Sequence, residues 1–158
     1  MCTLCNMKDL TPFIREVVPP DTAVVFQAMR ALRKHYDDRD EFVARVDEVQ
    51  RPEGYRLVGA FADGAGEAVA VAGFRVAHNL AWGRRFLYVD DLSTLPDARG
   101  RGHGRALLDW LADEGARCGC DQLHLDSGVG PEREDAHRLY FNAGLRIAAY
   151  HFAQGLGR

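Results

Sequence analysis

The chain has 158 residues, 47% of them hydrophobic, and its 20 basic and 23 acidic side chains leave a formal net charge of -3. That length holds one domain with its own core, and the composition excludes disordered and collagen-like chains. No basic tail or face offers a nucleic acid an electrostatic footing, and the longest apolar run, Ala68 to Ala72, is far short of the roughly 20 residues of a membrane span.

Met1 to Leu10 has no apolar signal-peptide core, so residues 1-10 are expected to be a flexible segment ahead of a domain over 11-158, in the cytoplasm. Pro12 to Val18 reads as a strand stopped by Pro19 and Pro20. Asp21 or Thr22 then caps a helix with Val25, Met29 and Leu32 at helical spacing, and Asp40 opens a second one along Phe42, Val46 and Val49 that Pro52 and Gly54 end. Tyr55 to Phe61 and Ala68 to Val76 are rich in β-formers around a Gly-containing turn, and Arg85 to Thr94 extends this hairpin into an antiparallel meander. Leu107, Leu108 and Leu111 share one face of a helix over Arg105 to Cys118, which Gly119 terminates. Gln122 to Asp126 is a strand, Glu134 to Ala143 a helix ended by Gly144, and Leu145 to Phe152 a last strand. A strand, a helix and a strand in succession form a crossover, so the fourth and fifth strands should run parallel in an otherwise largely antiparallel sheet. The fold class is therefore α/β, with a mixed, mostly antiparallel central sheet and helices on both faces.

Cys2 and Cys5 form C-x-x-C and Cys118 and Cys120 form C-x-C, a spacing tighter than usual zinc knuckles, so the four are read as free thiols and no metal is expected. The chemistry is concentrated in Arg99-Gly-Arg-Gly-His-Gly-Arg105, which joins a strand to a helix where free N-H groups and the helix dipole favour an anion. A phosphate loop of the nucleotide-hydrolase type needs Lys-Ser/Thr after its last glycine, but Arg105-Ala106 stands here. The dinucleotide fingerprint fails as well, because its third glycine would fall on Arg105.

What remains is R-x-x-G-x-G, with Arg99, Gly102 and Gly104 in place. The stretch Leu92 to Leu108 resembles the acetyl-CoA motif of the GNAT superfamily of N-acetyltransferases, and Ala136-His-Arg-Leu-Tyr-Phe-Asn-Ala-Gly-Leu145 resembles that family's second signature. The two motifs stand in the family's order, and the element order matches its fold from about Phe13 to Phe152. The resemblance implies acetyl-CoA as co-substrate. Main-chain N-H groups of Arg99, Gly100, Arg101, Gly102, His103, Gly104 and Arg105 would cradle its pyrophosphate. The backbone of Leu92, Ser93 and Thr94 would pair with its pantetheine arm where two parallel strands splay. It also assigns Tyr140 to the leaving sulfur. A phenol pKa of about 10 against about 8.5 for a thiol makes Tyr140 either a proton donor or a hydrogen-bond donor to the developing thiolate.

For the base, Asp90 and Asp91 are the candidates, adjacent acids in an otherwise apolar strand where a carboxylate is costly unless it faces a polar cleft. Many relatives carry a glutamate at the position of Tyr88; Asp90 instead resembles the acid of the polyamine-acetylating branch, which acts through water. Strand alternation sends the two aspartates to opposite faces and puts Asp90 on the face of Tyr88, so Asp90 is taken as base and Asp91 as the fallback, provided no bulge inverts the parity. His124, Asp126 and His137 are read as solvated or hydrogen-bonded. Arg133 stands where the family often has Asn. Trp82 and Tyr55 suit either an acceptor pocket or the anchors of a homodimer. The function expected is acetyl transfer to a primary amine, small-molecule or peptide, in a ternary complex without a covalent enzyme intermediate. The competing reading is an acyl-CoA-binding regulatory module without turnover.

Overall fold

The computed structural model describes residues 12-62, 66-81 and 84-157. The expected flexible segment 1-10, the Cys2 and Cys5 pair and Trp82 lie outside the described residues. Strand β1 (Phe13–Val17) is followed by a tight turn of helix over Asp21–Val25 and by α1 (Phe26–Arg30). Helix α2 (Arg39–Ala44) starts earlier than Asp40 because the Asp38 carboxylate accepts from the Glu41 N-H at 2.7 Å, an N-cap. It continues as a π-helical stretch, Arg45–Gln50, and a last turn, Arg51–Glu53, that ends at Gly54 with φ +87°. Strands β2 (Arg56–Phe61), β3 (Ala70–His78) and β4 (Arg85–Thr94) form the expected meander, α3 (His103–Arg117) leads to β5 (Cys120–Leu125), and α4 (Glu134–Asn142) follows.

The sheet order is β1-β2-β3-β4-β5, antiparallel except for the parallel β4/β5 pair. Strand alternation divides the buried side chains between its two faces. Val17, Leu57 and Val71 pack with Val25, Phe26, Met29 and Phe42 of the N-terminal helices, while Val58, Ala72, Phe74, Leu87 and Val89 pack with Leu107, Leu108 and Leu111 of α3. Phe74, Leu57 and Leu87 are fully buried, and each such side chain contributes about 1.5–3 kcal/mol on leaving water. Arg56 of β2 bonds Glu16 of β1 at 2.7 Å and Glu114 of α3 at 2.5 Å, tying that helix to the sheet. Arg117 first, and Arg56 after it, hold the buried Glu114 carboxyl down at about 2.

The last expected strand, Leu145 to Phe152, is not formed. Residues 145-157 have no regular structure, and Ile147, Tyr150 and Phe152 are largely exposed. A β-forming composition is a fit to a pleated, half-buried surface, and the sheet ends at β5 without pairing this segment.

Candidate active site

The β4/β5 ladder runs from Arg85↔Cys120 to Val89↔Leu125 and stops there. Strand β4 continues to Thr94, still paired with β3 on its other side. From Asp90 to Thr94 the β5-facing edge of β4 therefore has no strand partner, and its main-chain groups need one. Just beyond this edge, Gly100 and Gly102 take φ +73° and +84°, a left-handed region costly for any residue with a Cβ. Gly102 turns the chain directly into α3, which therefore begins at His103 rather than Arg105.

The first turn of α3 has no side-chain cap and no acidic residue. Its N-H groups face a surface bearing the exposed Arg99, Arg101 and Arg105, the arrangement that favours an anion. His103 is buried, and among the described residues its Nδ1 has no hydrogen-bond partner. Burial, then Arg101, lowers its pKa, so the ring stays neutral. Gly104 lies close to α4: a Cβ there would be 3.0 Å from Leu139 Cδ2, which would have to give by a few tenths of an ångström, and 3.9 Å from Thr94 Oγ1, an ordinary contact. Arg105 Nη1 also donates to the Asn142 carbonyl at 2.9 Å. The two sequence motifs thus meet at the first turn of α3. These features fit a pyrophosphate at the turn and an extended amide-bearing arm along the free edge of β4, where Leu92 and Thr94 are half-buried and Ser93 is buried. The Arg99 side chain lies back over the Thr94 carbonyl, 3.4 Å away.

Where the ladder stops, a cleft of about 220 Å³ is lined by Val89, Asp90, Leu125, Ser127, Arg133 and Tyr140, among others. Tyr140 is 8% exposed. Burial raises its pKa, which keeps the phenol protonated, while the neighbouring Arg133 pulls the other way. Arg133 Nη2 lies 3.5 Å from the Tyr140 oxygen and its Nε donates to Ser127 Oγ at 3.2 Å. The departure at Arg133 thus puts a cation beside the tyrosine.

The aspartates correct the alternation argument. Gly73 pairs with Asp91 and Phe74 with Val89, so Asp90 is an extra residue, a β-bulge. Leu87, Val89 and then Leu92 all face the α3 side. Asp90 and Asp91 consequently share the other face and line one pocket of about 290 Å³ next to the cleft. Asp91 is largely enclosed: its carboxylate accepts from Arg33 Nε at 2.6 Å and from the Tyr55 hydroxyl at 2.7 Å. Asp90 pairs with Arg75 Nε at 2.9 Å and is more open, with 27% of its side chain exposed. Burial raises the Asp90 pKa, Arg75 opposes it, and Asp91 adds to the rise. Asp90 and Arg33 border both cavities.

Tyr55 is buried against the N-terminal helices, so it is no exposed aromatic anchor, and it lines the same pocket as the two aspartates. It crosses β3 at Gly73, where a Cβ would lie 1.8 Å from the tyrosine oxygen. Sequence reading missed Arg33, Arg75 and the role of Gly73. Their signal was indirect: two adjacent acids in an apolar strand require cations from elsewhere in the fold. His124 meets Gln122 Oε1 at 2.7 Å, and His137 meets Ser127 Oγ at 3.1 Å and the Gly128 carbonyl at 2.8 Å, as hydrogen-bonded histidines should. Asp126 accepts from Tyr88 and lies 2.9 Å from His151 Nδ1. Cys118 and Cys120 are free thiols at the far end of α3. Among the described residues no three His, Cys, Asp or Glu side chains converge as a metal site, and no helix is long and apolar enough to cross a membrane.

Residues 22–144 match the model of the acetyltransferase (GNAT) family. The chain is 29% identical over 150 residues to the uncharacterized N-acetyltransferase YhdJ of Bacillus subtilis, covering 94% of this chain and 97% of that one. It is 26% identical over 162 residues to an aminoalkylphosphonate N-acetyltransferase of Salmonella typhimurium, covering 99% and 100%. The fold superposes on the aminoglycoside N-acetyltransferase AAC(6')-Iy, solved with CoA, with TM-score 0.73 and 18% identity over 93% of this chain and 96% of that one. Two motifs joined at one helix start, a strand pair that parts beside them, and a family match over most of the sequence lead to one conclusion: this chain belongs to the GNAT family and is an acetyltransferase.

Proposed function

We propose that the protein transfers acetyl from acetyl-CoA directly to a primary amine in a ternary complex, with Asp90 receiving the amine's proton and Tyr140 serving the leaving sulfur. The observation carrying this reading is that Asp90 and Tyr140 line one cleft at the point where β5 leaves β4. When bound, acetyl-CoA supplies an activated thioester: a C–N bond forms to the amine as the C–S bond breaks. Main-chain N-H groups from Arg99 to Arg105 hold the diphosphate, and the free edge at Leu92, Ser93 and Thr94 holds the arm.

An ammonium sheds two protons on becoming an amide. One passes through Asp90, directly or by water, to solvent; the other ends on the thiol. A carboxyl raised by burial is a stronger base than an ordinary one, which suits Asp90 to the first transfer. Tyr140, beside the Arg133 guanidinium, keeps its own O-H available to the developing thiolate. Asp91, held by Arg33 and Tyr55, fixes the bulge that aims its neighbour. The acceptor named for the Salmonella relative combines a primary amine with a phosphonate, which makes such amines the first to assay.

The test is thiol release from acetyl-CoA across a panel of amines. Turnover that is lost in Asp90→Asn and Tyr140→Phe, with CoA still raising the melting temperature, supports the proposal. CoA protection without turnover on any amine overturns it in favour of a binding module.

A further inference from the structure

The pocket beside the cleft carries more positive than negative charge, and the surplus has a definite place. Its walls hold three guanidinium groups, of Arg33, Arg45 and Arg75, against the two carboxylates of Asp90 and Asp91. Arg33 is committed to Asp91 at 2.6 Å and Arg75 to Asp90 at 2.9 Å. Among the described residues the exposed side chain of Arg45 has no hydrogen bond or ion pair, so its cation is the one no carboxylate compensates. It opens the π-helical stretch Arg45–Gln50. In π geometry residues five apart are stacked, so Arg45 and Gln50 line the same wall, and Gln50 accepts from Arg75 at 3.2 Å. Asp90 faces both this pocket and the cleft that holds Tyr140. One wall therefore suits an ammonium next to the reaction centre, and the opposite requirement, a free cation, is met within the same cavity.

We infer that the acceptor is a small amine that also carries an anion, a carboxylate or phosphonate, with its amine at Asp90 and its anion on Arg45. This rests on the acetyl-transfer reading for which cavity the amine enters. A guanidinium binds both anions bidentately through charge-assisted hydrogen bonds. Polycationic acceptors, polyamines and aminoglycosides alike, would with one ammonium at Asp90 bring a further like charge to the wall that holds the unpaired Arg45. A volume of about 290 Å³ is at the small end of ligand pockets and matches an amine of few atoms.

The experiment uses full-length protein saturated with CoA and titrated calorimetrically with aminoethylphosphonate, β-alanine, propylamine and putrescine, in parallel with thiol-release assays using acetyl-CoA. At least one of the two anionic amines should bind about tenfold or more tightly than propylamine and putrescine, the size of one charge-assisted contact. Phosphonate and carboxylate arms tell the two anions apart. Arg45→Ala should collapse that ratio towards unity by weakening the anionic amine most, and Arg45→Glu should reverse it in favour of putrescine. Far-ultraviolet circular dichroism and CoA protection confirm that both variants are folded. Binding of putrescine or propylamine as tight as that of the anionic amines, or a preference that survives both substitutions, overturns the inference. Absence of turnover on every amine sinks the acetyl-transfer reading instead, and the binding ratios still decide the anion subsite.

Discussion

Strand β4 is two strands in one. From Arg85 to Val89 it is paired on both edges, and Leu87 and Val89 are buried against α3. From Asp90 to Thr94 it is paired on one edge only, begins with a bulge, and presents two carboxylates. The same backbone thus closes the core in its first half and is left incomplete in its second. On the proposed reading, the main-chain groups left open there are the ones that receive the pantetheine arm.

The contrast can be broken by substitution. The largest effect is expected on turnover in the open half: Asp90→Asn should lower kcat by on the order of 10³-fold, read by thiol release, with CoA protection retained. Tyr140→Phe, facing the same cleft, should cost about 10²-fold. The paired half should behave oppositely. Leu87→Ala should destabilise by about 2–4 kcal/mol in denaturant unfolding, while kcat per folded molecule stays near its original value. A large kcat loss there, with stability intact, would erase the distinction between the halves.

Gly73 links them. Gly73→Ala places a Cβ where the Tyr55 hydroxyl now lies, which should cost about 1–3 kcal/mol and release Asp91 from Tyr55. The pH profile sharpens the picture further. Asp90 must be ionised to act as base and burial raises its pKa, so the acid limb of kcat/KM should lie above the ordinary 3.8. Arg75→Gln removes the group that opposes the rise and should move the limb higher still. Away from the site the sign is reversed. Glu114 is depressed from 4.5 to about 2, so its stabilisation is complete above 4.5 and is lost as pH falls towards 2. Glu114→Gln should flatten that part of the stability profile.

Most of the architecture was legible because it is written in short-range patterns. The meander follows from Gly-rich turns between β-forming runs, and the parallel β4/β5 pair from the helix between them. The glycine turn could be read because positive φ selects glycine. The bulge at Asp90 was not legible: it exists in the register between β3 and β4, and alternation along one strand carries no record of its partner. Arg33 and Arg75 escaped for a similar reason, being 58 and 15 residues from the acids they pair with. The failed strand after Leu145 shows the converse, local preference without a neighbour to satisfy it.

The bulge also governs how this sequence can be compared and redesigned. Side chains before Asp90 and after it are in antiphase, so an alignment with a bulge-free relative that opens its gap after Thr94 instead of at Asp90 transfers every substitution in Asp91–Thr94 to the wrong side of the sheet. Deleting Asp90 would therefore not shift the sheet: Val89, Asp91 and Leu92 would alternate without a break, Asp91 still opposite Gly73 and Leu92 still inside, and what would vanish is the one carboxylate that borders both cavities.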